Sequence, residues 1–513
     1  MTASRGATRI AIVGGGASGA VLAARLSEDP GYEVTLIEAG PGGPTPSDLL
    51  DGGSIPAALP GHPANWGYTA ELRPGHPTVV PRGRLLGGST AINGGYFVRA
   101  TPSDFADWAA TGGPSWEYER ALPLLAALEN DLDFGTEPGH GRSGPMRLRR
   151  PPQQDALTAA FRGAALELGF PEEPDKNAAA IGGPPRPPGV GPVPSNIIDS
   201  VRINTAMAYL TPALGRFNLT ILGDTRALRV LFDAGQRVTG VETDHGIIEA
   251  DEVVLCAGSV ATPQLLMLSG IGPRTELDAH GIAVLADLPV GERVSDHPNL
   301  AVGWSPTRSL HEDRDRFAFP TALNFDSSGP AGSYPEGDLE ILLVSKPLGA
   351  LFAQPASDAS GEEMQLLVAL QAPSNRGRLS LRSADPLDAP RIEYHYLDTA
   401  DDRARMRIGV RTAAALLRSQ AFKPFFGSFT SLDDATLGDG ERLDAWVAAH
   451  LGTAIHLSGT AAMGTVTDGS GRVRGVGGLR VADTSILPRV PSRGPFNTAV
   501  FIGEFVAGRM LAE

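Results

Sequence analysis

Residues 10–19 read IAIVGGGASG, and this stretch decides the fold of the N-terminal part of the chain. Four apolar residues without a polar break are typical of a buried parallel strand. The glycines that follow fit the pattern G-x-G-x-x-G. Gly14 permits a tight turn, Gly16 lets the backbone approach a pyrophosphate, and Gly19 lets the next helix pack against the strand. The stretch therefore predicts a strand, a phosphate-binding turn and a helix.

A second apolar strand, residues 34–37, ends at Glu38. The number of residues between the glycines and Glu38 suits a carboxylate that holds a ribose hydroxyl. A carboxylate at this position argues against a 2′-phosphate there. The helix between the two strands would offer free N–H groups near Ala17 and Ser18 to the phosphates. These elements together predict dinucleotide binding. The alternative for the glycines alone is an ordinary tight turn between strand and helix.

Glycines recur in residues 82–95, which read RGRLLGGSTAINGG. So many glycines in one loop indicate a backbone that lies against something flat or charged. The length of 513 residues suggests about three domain-sized units, more than NAD enzymes often need. Both observations favour a large dinucleotide cofactor with its own binding loop.

This loop resembles that of the glucose-methanol-choline (GMC) oxidoreductases, and the resemblance recurs in order along most of the chain. Residues 205–212 are similar to the family's YLxP segment, and residues 253–273 to its most diagnostic stretch. Residues 375–386 match a strand of its substrate domain. Residues 456–464 (HLSGTAAMG) match its active-site motif. The resemblance implies that the cofactor is FAD.

The resemblance also implies roles for individual residues. Glu38 would hold the adenosine ribose, Ala227 would face the adenine through its backbone, and Asp483 would lie near the polar chain of the flavin. Some members attach FAD covalently through a His just before the Asn of the loop. Ile92 stands at that position, so non-covalent FAD is expected. The complete predicted set for the cofactor is Gly14, Gly16, Ala17, Ser18, Gly19, Glu38, Ala39, Arg84, Gly87, Gly88, Ser89, Asn93, Gly94, Gly95, Ala227, Ala257, Asp483, Asn497 and Thr498.

His456, within the active-site motif, is the predicted catalytic residue. Oxidation of an alcohol removes a hydride, which the flavin accepts, and a proton, for which a His with a pKa near neutral is suited. The alternative is a structural His beside the flavin. His297, in a segment that resembles the family's DH motif at the domain junction, is a second and weaker candidate. The other histidines lie in loop-like or polar contexts.

The sequence departs from the family in two places. Most members have a second His or Asn just before the last helix, but counting back from residues 503–504 leads to Phe496. The adjacent Asn497 is predicted either as the catalytic partner of His456 or as the N-cap of that helix, which is predicted to begin at about Ala499. Residues 289–297 (PVGERVSDH) shorten the family's junction motif, which leaves the local structure there open.

Residues 93–99 and 493–495 resemble the mycofactocin-associated branch of the family. Its members are thought to reoxidise a redox peptide cofactor and to pass electrons to respiration, which implies a dehydrogenase. The substrate would then be a small alcohol or the peptide, with the electron acceptor open between oxygen, a quinone and a respiratory carrier. The alternatives are an alcohol oxidase that produces hydrogen peroxide, a non-redox lyase that keeps its flavin, and a flavin-binding protein without catalysis.

Composition agrees with a soluble, cytoplasmic enzyme. The apolar fraction is 42% and the net charge −15, which disfavours nucleic acids and anionic membranes as partners. Cys256 alone cannot form an internal disulfide, and in an apolar strand it is expected to be a buried, inert thiol. No secretory signal, membrane span or metal-ligand spacing is expected. Residues 142–150 form a basic patch predicted as a solvated face, and residues 181–192 a loop or lid.

The predicted fold is α/β, or α+β overall. A Rossmann-like FAD domain is assembled from residues 1–149, 201–299 and 441–513. A substrate domain, from residues 150–200 and 300–440, is predicted to place an antiparallel sheet over the flavin.

Overall fold

The structure is a computed structural model that describes residues 7–181, 187–308, 310, 317–327, 336–352, 363–374 and 376–513. Helices and strands are mixed along the chain, as the sequence predicts. No helix of these described ranges is long and apolar enough to cross a membrane.

A five-stranded parallel sheet forms the centre of the N-terminal fold. Its strands, in spatial order, are Leu219–Leu222, Tyr32–Ile37, Thr8–Val13, Glu252–Leu255 and Leu479–Val481. The middle strands are apolar because both faces of the sheet are covered by other elements. The cradle helix (Ala17–Leu26) packs against the C-terminal helix (Phe496–Leu511), so the sheet and its helices combine three distant parts of the chain. This is the predicted Rossmann-like arrangement.

A second, antiparallel sheet forms the roof of the molecule. Its main path runs through Phe426–Phe429, Pro298–Pro306, Met364–Leu370, Leu339–Val344, Thr321–Phe325 and Val190–Pro192, and Leu451–Thr453 also pairs with the second of these strands. Helix Ala400–Arg418 packs on this sheet through a buried apolar face. The predicted antiparallel sheet is confirmed, whereas the exact domain boundaries stay a prediction.

Smaller elements complete the fold. Ala227–Phe232, Val238–Thr243 and Gly246–Glu249 form an antiparallel sheet beside the parallel one. A four-stranded sheet contains Arg378–Ser380, Arg391–Glu393, Tyr68–Glu71 and Pro77–Val80. Short pairs join Glu129–Asp131 to Met146–Leu148, Ile197–Ile198 to Val201–Arg202, and Ile271–Gly272 to Ala286–Asp287. Further helices are Pro102–Gly112, Tyr118–Ala127, Ala156–Glu167, Thr211–Ala213, Gly258–Leu268, Arg274–Ala279, Leu348–Leu351, Asp434–Gly438 and Gly440–His450.

Two local predictions are wrong. The last helix begins at Phe496 rather than near residue 499, with Pro495 at the N-cap position, so Asn497 lies inside the first turn and does not cap the helix. Val190–Pro192, predicted as part of a loop or lid, is an edge strand that pairs with residues 321–323. Residues 182–186 of that segment lie outside the described residues.

The basic patch at residues 142–150 is solvated only in part. Arg142, Arg147 and Arg149 are exposed, as expected. Arg150 is buried because its guanidinium forms ion pairs with Asp131 and Asp175, which the sequence places far from it. Cys256 is buried, and burial raises the pKa of its thiol well above the ordinary value, as expected for an inert thiol.

Candidate active site

A cavity of about 550 Å³ lies between the parallel sheet and the roof sheet. Gly14, Glu38 and Asp483 line it, and each follows the carboxyl end of a parallel strand or lies within two residues of it. Ligands of open parallel sheets bind at this edge, where the strands end and the helices begin. Leu342 and Gln365 line the opposite wall from the roof sheet. The cavity is therefore placed where a dinucleotide and a substrate would meet.

The glycine turn is built around close backbone contacts. Gly14 has a φ of +100°, and a Cβ there would lie 2.6 Å from the carbonyl oxygen of Cys256. A Cβ on Gly19 would lie 1.9 Å from the carbonyl oxygen of Gly14. A Cβ on Gly16 would instead meet nothing closer than 3.9 Å and would point into open space that a ligand can use. The cradle helix starts at Ala17 without a side-chain cap, which leaves its first N–H groups for an anion.

Glu38 fixes the geometry of the turn from the next strand. Its carboxylate accepts hydrogen bonds from the N–H groups of Gly15 and Gly40, both at 2.9 Å. Burial raises the pKa of Glu38 to about 7, although these two hydrogen bonds act in the opposite direction. A buried carboxylate at the cavity wall can accept further hydrogen bonds from ribose hydroxyls.

The glycine-rich loop is tied to the glycine turn. Gly87 donates its N–H to the carbonyl oxygen of Gly15 at 2.8 Å, and a Cβ on Gly88 would lie 2.8 Å from Cα of Gly16. Asn93 lines the cavity and accepts a hydrogen bond from the N–H of Gly95 at 3.0 Å. The two glycine segments therefore form one continuous wall.

Asp483 connects the C-terminal segment to that wall. One carboxylate oxygen accepts hydrogen bonds from the N–H of Gly258 at 2.9 Å and from Thr262 Oγ1 at 2.6 Å. The other accepts from the backbone N–H and the hydroxyl of Ser485. Burial raises the pKa of Asp483 above its ordinary value. The residue positions the segment that leads into the C-terminal helix.

His456 faces the cavity from a loop that runs beside residues 295–297. Asp296 aligns the two segments, because one of its oxygens accepts the N–H of His456 and the N–H of His297, both at 2.7 Å. The preceding residue, Ile455, has a φ of +67°, which is unfavourable for a β-branched residue and is typical of functional sites. Arg82 holds this strained residue by donating to its carbonyl oxygen at 2.7 Å.

The imidazoles of His456 and His297 are in direct contact. Their Nδ1 atoms are 2.9 Å apart, and the ring planes are perpendicular. Burial lowers the pKa of His297 to about 3, and burial, with smaller effects of His297 and Arg82, lowers that of His456 well below the ordinary value. Both rings are therefore neutral near pH 7, and each has one ring nitrogen with a lone pair. The sequence indicated this pair only weakly, through the DH motif that contains His297.

Tyr96, which follows the glycine-rich loop, meets polar side chains of the roof sheet at the far wall. Tyr96 donates its hydroxyl proton to Glu340 at 2.7 Å, and Asn324 donates to the same carboxylate oxygen at 3.0 Å. Tyr96 and Glu340 both line the cavity. Sequence reasoning missed Glu340, since it lies in an otherwise apolar strand with no motif around it.

Two family models, both described as GMC oxidoreductase, match residues 9–299 and residues 373–503. The chain belongs to the GMC oxidoreductase family. The resemblance stated from the sequence motifs is thus confirmed.

Relatives in this family cover nearly the whole chain. A GMC-type oxidoreductase of Rhodococcus erythropolis is 39% identical over 98% of both chains. The oxygen-dependent choline dehydrogenase of Brucella anthropi is 34% identical over 98% of this chain and 95% of its own. The solved structure of pyridoxine 4-oxidase from Mesorbium loti superposes with a TM-score of 0.89, at 29% identity and over 99% of both chains. GMC oxidoreductases depend on FAD, and the chain is an FAD-dependent oxidoreductase of this family.

The residues that line the cavity are suited to bind FAD, in agreement with the membership of the chain in the family. The uncapped helix start, the open side of Gly16 and the Glu38 carboxylate provide groups for the pyrophosphate and a ribose. Most of the predicted cofactor set line the cavity: Gly14, Gly16, Ala17, Ser18, Glu38, Ala39, Gly88, Ser89, Asn93, Gly94, Ala227, Ala257 and Asp483. The predicted catalytic residue, His456, lines it as well. Six residues of the set do not line it. Arg84 is exposed, and the other five are buried: Gly19, Gly87, Gly95, Asn497 and Thr498.

The structure does not bring Asn497 into the cavity wall, which has Phe496 at that position. Asn497 is completely buried, and neither polar atom of its amide has a hydrogen-bond partner among the described residues. Its role as catalytic partner or as a cofactor ligand stays a prediction. An unpartnered amide in the first helical turn is a group that a bound cofactor could satisfy through a small adjustment.

Another cluster of polar residues lies apart from the cavity lining. His140 contacts Glu129 through Nδ1 and Asp175 through Nε2, both at 2.9 Å, and Asp131 lies 3.2 Å from the first nitrogen. Burial opposes its charged form, but hydrogen bonds to these carboxylates outweigh burial and raise the pKa of His140 to about 10. Arg150 neutralises the carboxylates further. The cluster is therefore an ion-pair network, although three of its groups lie close enough together to hold a metal ion.

Proposed function

We propose that the protein oxidises the CH–OH group of an alcohol to a carbonyl, with FAD bound non-covalently. The observation that carries this proposal is the neutral His456 at the wall of a cavity whose opposite end fits a dinucleotide. The names of two relatives support an alcohol substrate, since one is a choline dehydrogenase and another a pyridoxine 4-oxidase. Ile92 in the glycine-rich loop supports non-covalent binding, because its side chain cannot form the bond that a His forms in some members.

The residues of this chain would contribute binding and proton transfer. When bound, FAD supplies the acceptor for the hydride that leaves the carbon of the alcohol. Nε2 of His456 accepts the hydroxyl proton as the carbonyl forms. The roof sheet covers the cavity, and Glu340 of this sheet and Tyr96, which follows the glycine-rich loop, provide hydrogen-bonding groups for the rest of the substrate. The alcohol itself is a small molecule or a redox peptide of the mycofactocin type.

We further propose that the electron acceptor is a carrier other than oxygen. Phe496 occupies the cavity wall where most family members have His or Asn. This apolar replacement supports the resemblance to the mycofactocin-associated branch and hence a dehydrogenase. An oxidase is the second candidate, which the name of the pyridoxine 4-oxidase relative favours.

The test mixes the FAD-bound protein with a panel of alcohols in the absence of oxygen. The absorbance of the flavin measures the rate of its reduction. The variant His456→Ala is expected to reduce its flavin roughly 10²–10⁴-fold more slowly, because the hydroxyl proton has no acceptor. His245→Ala, at an exposed side chain, is the matched control and keeps the wild-type rate.

Three outcomes would contradict the proposal. Unchanged reduction in His456→Ala would remove its assigned role. A flavin that no alcohol bleaches, in a protein that still cleaves a substrate, would indicate a lyase. A flavin that stays oxidised without any turnover would indicate a binding protein.

A further inference from the structure

His297 contributes to the site through its contact with His456, although its own ring is completely buried. A separation of 2.9 Å between two ring nitrogens is a hydrogen bond. One Nδ1 must then carry the proton, and the other must offer a lone pair. The choice of donor decides whether Nε2 of His456 carries the proton or the lone pair, and hence whether it can act as an acid or as a base.

Each ring has a single proton to place, because both are neutral. In a neutral imidazole, one nitrogen is a donor and the other an acceptor. If His297 donated, Nδ1 of His456 would hold the lone pair and Nε2 would hold the proton. His456 could then not accept a hydroxyl proton at Nε2.

The proposed role of His456 as a base requires the opposite arrangement. If His456 donates, Nδ1 of His297 holds the lone pair and the proton of His297 lies on Nε2, on the side of the ring that does not contact His456. Nε2 of His297 is buried and forms no close hydrogen bond with the described residues, which gives it no donor that would favour a lone pair.

We infer that His297 fixes the tautomer of His456. Nδ1 of His297 accepts the Nδ1–H of His456, and this leaves the lone pair of His456 on Nε2, where the base is needed. The inference rests on the proposed role of His456. His297 is a positioning residue, since it acts through His456 and lies outside the cavity lining.

The backbone holds the two rings at this distance. Ser295 and Ser458 exchange two hydrogen bonds, at 3.0 and 2.8 Å. The N–H of Ala454 donates to the carbonyl oxygen of His297 at 3.1 Å. These contacts flank the histidine pair on both sides, and Asp296 binds both histidine N–H groups between them. The ring contact is therefore part of a rigid arrangement.

The kinetic test compares His297→Asn with His297→Leu, which are similar in size. The amide oxygen of Asn can replace Nδ1 as an acceptor, whereas Leu offers none. Flavin reduction is expected to be roughly 10²-fold slower in the Leu variant and to stay within about tenfold of wild type in the Asn variant. Equal losses in both variants, or no loss in the Leu variant, would overturn the inference.

A second measurement reports the tautomer without turnover. In the FAD-bound protein with ¹⁵N-labelled histidines, NMR distinguishes a protonated ring nitrogen from one with a lone pair, and His456→Ala assigns the signals. We expect His456 to carry its proton on Nδ1 in the wild type and to populate both tautomers in His297→Leu. A protonated Nε2 on His456 in the wild type would overturn the inference even if the Leu variant does not fold. Loss of reduction in His456→Ala together with a normal His297→Leu would reject the tautomer role and retain the proposed function.

Discussion

Glu38 is the residue through which pH should control binding of the cofactor. Burial raises its pKa to about 7, and a ribose hydroxyl donates best to the ionised carboxylate. The affinity of the apoprotein for FAD is therefore expected to increase as pH rises through about 7 and to level off above it. Titrations of the apoprotein with FAD, followed by flavin fluorescence, measure this dependence.

The variant Glu38→Gln provides the control. It keeps the shape of the side chain but has no charge to gain, so its affinity is expected to be about tenfold weaker at high pH and to change little with pH. A wild-type profile that matches the variant would contradict the role of the Glu38 charge.

The sequence predicted functional residues at the ends of strands better than it predicted contacts that form only when distant segments fold together. Gly14, Glu38 and His456 are marked by local patterns or by a motif, and the structure places all three at the cavity. The contact of His297 with His456 joins residues 159 positions apart and depends on backbone pairing between segments. Local patterns carry no information about such a contact.

Among the elements, the cradle helix and the C-terminal helix are joined by a partly buried ion pair. Arg25 contacts Glu504 at 2.9 Å, and the hydroxyl of Tyr209 donates to the same carboxylate at 2.9 Å. Glu504→Gln is expected to lower the free energy of unfolding by about 2 kcal/mol, because hydrogen bonds to a charged group are lost. The midpoint of urea unfolding measures the change.

Glu28→Gln tests the specificity of this effect. Glu28 also pairs with Arg25, but its side chain is 48% exposed, so its loss should change the midpoint little. A similar loss in both variants would mean that the charge of Arg25, rather than the junction between the helices, is what matters.

The strand pair Glu129–Asp131 and Met146–Leu148 is stabilised by the charged His140. The pKa of His140 is raised to about 10 in the folded protein, against about 6.5 in an unfolded chain. Its contribution to stability is therefore complete below about pH 6.5 and is lost as the pH rises through about 10. We expect the midpoint temperature of thermal unfolding to decrease less between pH 7 and pH 10 in His140→Gln than in the wild type.

His395→Gln serves as the comparison, since His395 is 42% exposed and pairs with Asp398 at the surface. It should keep the wild-type dependence on pH. Identical slopes for all three proteins would contradict a charged His140.

Helices and strands with long hydrophobic patterns were predictable from the sequence. Boundaries and burial that depend on packing between distant segments were less so. The unbroken apolar runs predicted both sheets. The start of the last helix was misplaced because Phe496 packs at the cavity wall and extends the helix towards Pro495. Arg150 was expected in solvent because its partners, Asp131 and Asp175, come from other segments.

For the whole molecule, the decisive property is the fate of electrons after the substrate is oxidised. The proposed dehydrogenase predicts that protein reduced without air regains its oxidised absorbance slowly when oxygen is admitted, and quickly when a quinone is added. Stopped-flow absorbance measures both rates. Return within seconds in air, with formation of hydrogen peroxide, would indicate an oxidase instead.

The parallel sheet draws its strands from three distant parts of the chain, and this has a consequence during synthesis on the ribosome. Thr8–Val13 and the glycine turn emerge early, yet they pair and pack with Glu252–Leu255, Leu479–Val481 and the C-terminal helix, which emerge much later. Contacts between such remote segments form slowly and leave apolar surface exposed meanwhile. We therefore expect cofactor loading to be completed after translation, and a nascent chain arrested before residue 479 to be bound by chaperones and to lack flavin.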